Sequence, residues 1–241
     1  PPPPPPPPPT HSTGRRQRQM CIRDSFILVY SFIPTFGGLF RVLEFAGGPA
    51  IAPENPRASS MPFPIILHIL GSFLFCLLGA IQFLPSIRLR HPVTHRAFGQ
   101  IVSVAGCLSA GSGLWMTHFY SFPISLQGNL LYWARIILGF LMIAFIVWSV
   151  LAIRSRNVPQ HSAYMLRAYA IGQGASTQTF IGIGWMILVG TEATGPLRDA
   201  MMVFAWAINL LIAEAMIWAV LAPKRLPVAS VLHEKPFKVG Q

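Results

Sequence analysis

Long apolar runs separated by short polar loops dominate the chain. Five runs reach about 20 residues, the length that an α-helix needs to cross a bilayer, and they cover roughly 62–84, 97–119, 130–153, 162–189 and 199–221. Prolines lie at their borders, among them Pro62, Pro85 and Pro159. Proline suits the first turn of a helix but cannot continue one. The pattern therefore predicts five membrane-spanning helices.

A sixth apolar run, from Phe26 to about Ala46, is interrupted by helix-breaking and charged residues. It contains Pro34, Arg41 and Glu44. We therefore expect a short helix, broken near Pro34, that leaves the membrane near Arg41. Together the runs predict an all-α fold, a polytopic transmembrane helix bundle with about six spanning helices.

Basic residues in alternate loops predict the orientation of the bundle. Arg88, Arg90 and Arg96 follow the run at 62–84, and Arg154 and Arg156 follow the run at 130–153. The other loops carry fewer positive charges. By the positive-inside rule we expect the basic loops and both termini, including the C-terminus, to be cytoplasmic.

The first 25 residues differ from the rest of the chain. They begin with nine prolines and contain no apolar run. They resemble translated sequencing-adapter read-through, so we interpret 1–25 as a disordered, non-native segment. The alternative is a proline-rich cytoplasmic tail that binds an SH3-like partner. The expected domains are then a transmembrane helical domain at 26–222 and a basic cytoplasmic tail at 223–241.

Composition agrees with a membrane protein. The 241 residues are 53% hydrophobic and only 10% charged, whereas soluble domains carry about 25% charged residues. The net charge is +11, and the basic residues that produce it lie between the apolar runs. The expected partner is therefore the lipid bilayer and not nucleic acid. No phosphate-binding glycine loop, dinucleotide motif or nucleophile elbow is present. The sequence does not decide whether the protein is an enzyme.

Two histidines near the cytoplasmic surface suggest a haem site. His95 and His161 each stand in the first turn of a helix, shortly after a proline, so they are expected at one depth. A bis-histidine haem needs two such imidazoles, and Arg96 and Arg167 would bind its propionates. The alternative is that both histidines contact lipid headgroups. Beyond the hypothetical haem iron, no metal site is expected.

A second group of polar residues is expected near the outer surface. His68 lies about 9 Å into its helix, on the same stripe as Gln82, and is predicted to face the bundle. Arg135 lies at nearly the same depth and needs an anion, for which Glu44, an anionic cofactor or a lipid headgroup are candidates. His68 and Arg135 would mark an outer haem site if His118 supplied the second ligand. The alternative is a buried histidine bonded to a neighbouring helix.

The last two predicted helices carry opposite charges. Arg167 and Glu214 lie at similar distances from the cytoplasmic ends of their helices, which predicts a buried ion pair that sets helix register. Gln82, Gln178 and Asn209 are further polar side chains that we expect to be buried in the bundle.

Four sequence blocks carry a family resemblance over nearly all of 26–221. In order they are LHILGSFLFCLLGAIQFLPSIRLRHPVTHRAFGQ, SGLWMTHFY, HSAYMLRAYAIGQGASTQ and WAINLLIAEAMIW. Together they resemble the bacterial membrane family catalogued as domain of unknown function 2306. The resemblance implies a multi-pass inner-membrane protein and no established reaction. The residues that match the family's marked polar positions are His68, Gln82, His95, Arg96, Trp115, Arg135, His161, Arg167, Gln178, Asn209 and Glu214. Tyr164 stands where tryptophan is usual, and Ser162 stands where a basic residue is common.

Three function classes follow from these residues. The leading specific hypothesis is a transmembrane b-type haem protein that transfers electrons to or from a redox partner that the sequence does not identify. A proton-coupled transporter would use the intramembrane charges, with the glycine-rich region 172–190 as a hinge. A non-catalytic scaffold or accessory subunit would use its polar residues only for helix packing.

Overall fold

The computed structural model describes residues 29–32, 36–49 and 55–221. Over 55–221 the chain forms eight helices: α1 (Pro56–Ser60), α2 (Pro62–Gln82), α3 (Pro85–Arg90), α4 (Pro92–Phe119), α5 (Asn129–Arg154), α6 (Val158–Gly172), α7 (Gly174–Val189) and α8 (Gly195–Leu221). Residues 29–32 and 36–45 are also helical. No strand occurs in these ranges, so the predicted all-α fold is confirmed.

Within the described part of the chain, four helices are long and apolar enough to cross a membrane. They are α2, α4, α5 and the part of α8 that ends at Ala219. Only 17–33% of the residues in their most apolar windows are buried, so large side chains such as Trp133, Phe140 and Leu211 face outward. An apolar outer surface of this extent is stable only in contact with lipid. The protein is therefore a membrane protein that contacts the bilayer.

The predicted span at 162–189 is not one continuous helix. It consists of α6 and α7, which meet at Gln173, and neither helix reaches the length of a full span. Glycines on both sides of Gln173 lower the helix propensity of this segment. They also admit neighbouring rings: an added Cβ would lie 2.5 Å from the Phe75 ring at Gly172 and 1.9 Å from Trp206 at Gly174. The prediction of a single helix here is therefore wrong.

Several helix boundaries also differ from prediction. Pro92 starts α4 five residues before the predicted 97, and the loop that carries Arg88 and Arg90 forms the short helix α3. Gly195 starts α8 before the predicted 199. These shifts follow from prolines near each start, since proline at the first helical positions is already in helical conformation.

The interrupted first run is described only in part. Arg41 and Glu44 lie within a helical stretch that continues to Phe45. The break expected near Pro34 lies outside the described residues. The segments 1–25 and 223–241 also lie outside them.

The core of the bundle is a ring of four helices. α2 packs against α4, α4 against α5, α5 against α6, and α6 against α2. α4 and α6 are therefore diagonal to each other, while α8 packs outside the ring against α5, α6 and α7. We call the end with Arg88, Arg90, Arg154 and Arg156 the basic end. The end formed by the loops 120–128 and 190–194 is the loop end.

Small residues allow the ring helices to approach closely. An added Cβ at Gly71 of α2 would lie 3.0 Å from the Ala105 backbone oxygen of α4, and one at Gly106 would lie 2.6 Å from the Phe75 ring. Ser72 and Ser109 also join these helices, with their hydroxyl oxygens 2.6 Å apart. Close backbone approach and interhelical hydrogen bonds are the main attractive forces between helices in lipid.

Candidate functional site

His95 and His161 lie near the basic end of the bundle. Each is the fourth residue of its helix, His95 in α4 and His161 in α6. These two helices are diagonal in the four-helix ring, and the two imidazoles lie within electrostatic range of each other. The structure thus brings the predicted inner pair into one part of the bundle.

The His161 ring is held by Ser149 of α5. The ring Nδ1 lies 2.7 Å from Ser149 Oγ and 3.1 Å from the Ser149 backbone oxygen, and Ser149 is fully buried. Because a carbonyl oxygen can only accept, Nδ1 carries the proton. Nε2 of the neutral ring then keeps its lone pair, which is the state of a metal-ligating histidine with an orienting partner.

Two buried polar atoms, one in the pair itself and one beside it, have no hydrogen-bond partner within the described ranges. They are Nδ1 of His95 and Nε2 of Gln82. The Gln82 amide faces α4, because its Oε1 lies 3.9 Å from the position of a Cβ on Gly99, one turn after His95. Since buried polar atoms almost always have a partner, these two atoms are available to bind a further group.

The two predicted propionate partners differ in their surroundings. Arg96 is exposed on α4. Arg167 instead binds Glu214 of α8 through two bonds, from Nε at 2.5 Å and from Nη2 at 2.8 Å. This ion pair joins α6 to α8 and occupies the Arg167 guanidinium, but it is not buried as predicted, because the two side chains are 25% and 40% exposed. Arg88, which lies within electrostatic range of His95, is a basic group that the sequence analysis did not assign to the pair.

His68 faces the neighbouring helix α4. Its Nδ1 donates to the Ser109 backbone oxygen at 2.9 Å, and the ring lies 3.3 Å from the position of a Cβ on Gly113. Arg135 lies within electrostatic range of this ring. His68 is therefore oriented toward the bundle and not toward lipid.

The predicted second ligand of an outer haem site lies elsewhere. His118 is exposed, and its Nδ1 lies 3.0 Å from the Tyr132 hydroxyl of α5. No hydrogen bond or ring contact joins His118 to His68 among the residues that the structure describes, and none of these residues form a cluster of three or more metal-ligating side chains. The structure does not bring the outer pair together.

Arg135 has a different environment from the one expected. Its Nη1 donates to Gln127 Oε1, and its guanidinium lies 5.4 Å from the centre of the Phe122 ring. Glu44 is not its partner, because Glu44 pairs with Arg41 at 2.9 Å on its own helix. The carboxylate within electrostatic range of Arg135 is Asp199.

Asp199 of α8 caps the N-terminus of α5. It is buried and accepts from the backbone nitrogens of Gly128 and Leu131, each at 3.2 Å. Sequence reasoning missed this residue because it lies at the start of an apolar run. A signal was present, because Gly128 has no side chain to cap α5 and the first helical amides need an acceptor from elsewhere.

A buried polar cluster surrounds the break between α6 and α7. Gln173 Nε2 donates to Ser31 Oγ and to the Tyr169 hydroxyl, each at 2.7 Å, and Gln173 Oε1 accepts from Ser176 at 2.8 Å. The Tyr169 hydroxyl donates in turn to the Cys76 backbone oxygen at 3.0 Å. Sequence reasoning missed this cluster, although a glutamine between two glycines inside an apolar run signals it.

Side chains of α8 donate hydrogen bonds to backbone carbonyl groups at the same break. Asn209 Nδ2 donates to the Ala170 oxygen at 3.2 Å, and Trp206 Nε1 donates to the Ile171 oxygen at 3.1 Å. The last carbonyls of a helix lack amide partners within it. Gln178 also binds α8, through a backbone oxygen at 3.1 Å. Asn209 and Gln178 were expected to be buried in the bundle, and each forms a hydrogen bond to the backbone of a neighbouring helix.

Comparison with known proteins identifies one family. The family model described as "Predicted membrane protein (DUF2306)" matches residues 65–217, which is more than half of the chain and includes the His95–His161 pair. No curated protein matches the chain, and no solved structure matches it.

Proposed function

Since the chain belongs to the DUF2306 family of predicted membrane proteins, we propose a function that is performed within the bilayer: the basic end binds a b-type haem and the protein transfers electrons. His95 and His161 would hold the haem iron through their imidazole nitrogens. The observation that carries this proposal is the location of these imidazoles within electrostatic range of each other on diagonal helices, together with Nδ1 of His95 and Nε2 of Gln82, two buried atoms without a partner among the described residues.

The residues around the pair fit a haem. Ser149 orients the His161 ring and leaves Nε2 free, as outer-shell partners of metal-bound histidines do. His95 has no hydrogen bond that would have to break before its ring turned. Arg96 and Arg88 lie at the same end and would pair with the propionates. When bound, haem iron supplies a reversible one-electron couple.

The test is an absorption spectrum of the purified protein. The chain is expressed with haem supplied and extracted in a mild detergent, and its spectrum is recorded before and after dithionite. We expect a Soret band that shifts on reduction. His95→Ala and His161→Ala are expected to lose most of it, whereas His118→Ala, an exposed histidine bonded to Tyr132, keeps it.

Two results would overturn the proposal. The first is wild-type protein that elutes as one folded species but has no Soret band. The second is a band that survives in both His95→Ala and His161→Ala. Size-exclusion profiles of the variants provide the control for folding.

We also propose that the basic end faces the cytoplasm of a bacterial inner membrane. The support is the concentration of arginines in α3 and the α5–α6 connection, which the positive-inside rule assigns to the cytoplasm. A reporter that is fluorescent only in the cytoplasm, fused after Gln241, is expected to be bright. A dark fusion together with a bright one in the loop 120–128 would reverse the orientation.

A further inference from the structure

Three arginines from separate helices gather at the loop end. Arg57 of α1 and Arg135 of α5 both lie against the Phe122 ring, with guanidinium carbons 4.8 and 5.4 Å from its centre. Arg198 of α8 lies within electrostatic range of Arg135. We call Arg57, Arg135 and Arg198 the arginine cluster.

The arginine cluster has unused hydrogen-bond donors. Nε of Arg57 and Nε of Arg198 are buried and have no hydrogen-bond partner among the described residues, whereas Arg135 donates to Gln127 Oε1. Within the described ranges no carboxylate lies at ion-pair distance from any of the three. Asp199 is nearby, but both of its oxygens accept from the N-terminus of α5.

Neighbouring groups do not supply the missing anion. Glu192 of the 190–194 loop is exposed. The Tyr120 hydroxyl donates to the Met61 backbone oxygen at 2.7 Å. Burial raises the pKa of Tyr120, so this phenol stays neutral. Like-charged guanidinium groups with unused donors are unfavourable unless an anion joins them.

We propose that the arginine cluster binds a phosphate group. The planar fork of arginine matches phosphate oxygens with two parallel hydrogen bonds. The cluster extends from the membrane surface, at α1 and the start of α8, to Arg135, about 9 Å along α5. This depth suits the headgroup phosphate of an anionic phospholipid, and the same donors would bind a soluble phosphate.

The site is independent of the proposed haem. His95 and His161 lie at the basic end, whereas the arginine cluster lies at the loop end, on the far side of the apolar core formed by Phe75 and Ile146. Failure of one proposal therefore leaves the other standing.

The experiment measures ligand-dependent melting of delipidated protein in neutral detergent. One titration uses inorganic phosphate against chloride at equal ionic strength, and the other uses phosphatidylglycerol against phosphatidylcholine. We expect a saturable rise in Tm in one of them. The double variant Arg57→Gln with Arg198→Gln is expected to weaken the apparent Kd at least about tenfold, since each charge-assisted bond contributes on that scale.

A matched control removes two arginines from the other end. Arg90→Gln with Arg154→Gln changes the net charge equally, and both residues are exposed at the basic end. This control is expected to bind like the wild type.

The outcomes distinguish a soluble phosphate from a lipid headgroup, and both from the absence of a phosphate site. Saturation by inorganic phosphate identifies a soluble ligand, and saturation by phosphatidylglycerol alone identifies a lipid. No saturation in either titration, or equal affinity in the cluster and control variants, overturns the proposal. If the glutamine variant does not fold, Arg57→Lys with Arg198→Lys keeps the charge but loses the fork, and unchanged affinity there would contradict the guanidinium contacts.

Discussion

At Gly174 the folded structure leaves no room for a side chain. An added Cβ would lie 1.9 Å from Nε1 and 2.3 Å from Cδ1 of Trp206. The same indole nitrogen donates to the Ile171 carbonyl at the end of α6. Gly174→Ala therefore displaces the ring and removes the side-chain donor of a carbonyl whose remaining amide donor is the Gln173 N–H at the end of α6.

The size of the effect follows from three contributions. Overpacking a well-packed site costs about 1–3 kcal/mol, and a buried carbonyl left without its donor costs about 1–3 kcal/mol. Alanine regains up to about 1 kcal/mol in helix propensity. We expect a net loss of about 1–5 kcal/mol in the free energy of unfolding, which lowers Tm by about 2–20 °C for a chain of this length.

The matched control is Gly182→Ala on the same helix. Nothing lies within 4 Å of an added Cβ there, so only the propensity gain remains, and Tm is expected to stay the same or rise. Thermal unfolding of both variants in detergent, followed by tryptophan fluorescence, measures the difference. Equal stability of Gly174→Ala and Gly182→Ala would refute the close approach of Trp206 to the α6–α7 break.

Three further predictions concern other contacts between helices and are tested by the same melting assay. Glu214→Gln removes an ion pair with Arg167 whose side chains are 25% and 40% exposed, so the expected cost is about 1 kcal/mol, the upper end for exposed pairs; the double change to leucine at both positions should recover most of this, and a double variant as unstable as the single one would contradict the pairing. Asp199→Ala removes the cap of α5 and is expected to cost about 1 kcal/mol, while Gly128→Ala should cost more because its Cβ would lie 2.5 Å from an Asp199 oxygen; harmless substitutions at both would exclude the cap. Tyr169→Phe removes the hydroxyl that accepts from Gln173 Nε2, so one buried amide hydrogen loses its partner; the expected cost is about 1–3 kcal/mol, and an unchanged Tm would exclude this hydrogen-bond network.

Local signals predicted the four spanning helices and the start of one of them. Apolar runs of spanning length predicted α2, α4, α5 and α8, because a helix is the structure that satisfies its own backbone in lipid. Prolines predicted the start of α2 at Pro62 directly. His95 and His161 were expected at one depth from their distance to a proline alone, since helical rise converts sequence position into depth.

Contacts between helices could not be read from the sequence. The carboxylate within electrostatic range of Arg135 is Asp199 and not the expected Glu44, and this depends on how α5 and α8 are placed beside each other. Depth along a helix follows from sequence position, but rotation and tilt are set by packing against neighbouring helices. A pairing that needs both therefore appears only in the folded bundle.

The break at Gln173 illustrates the same division. The sequence by itself determined a membrane-spanning helical chain and placed a glutamine between two glycines inside an apolar run, which is compatible with either a bent or a continuous helix. The tertiary structure favours the broken helix, because Trp206 and Asn209 of α8 donate hydrogen bonds to the last carbonyl groups of α6. In a medium without water, an unpaired carbonyl is too unfavourable to persist, so only the arrival of α8 makes the interruption stable.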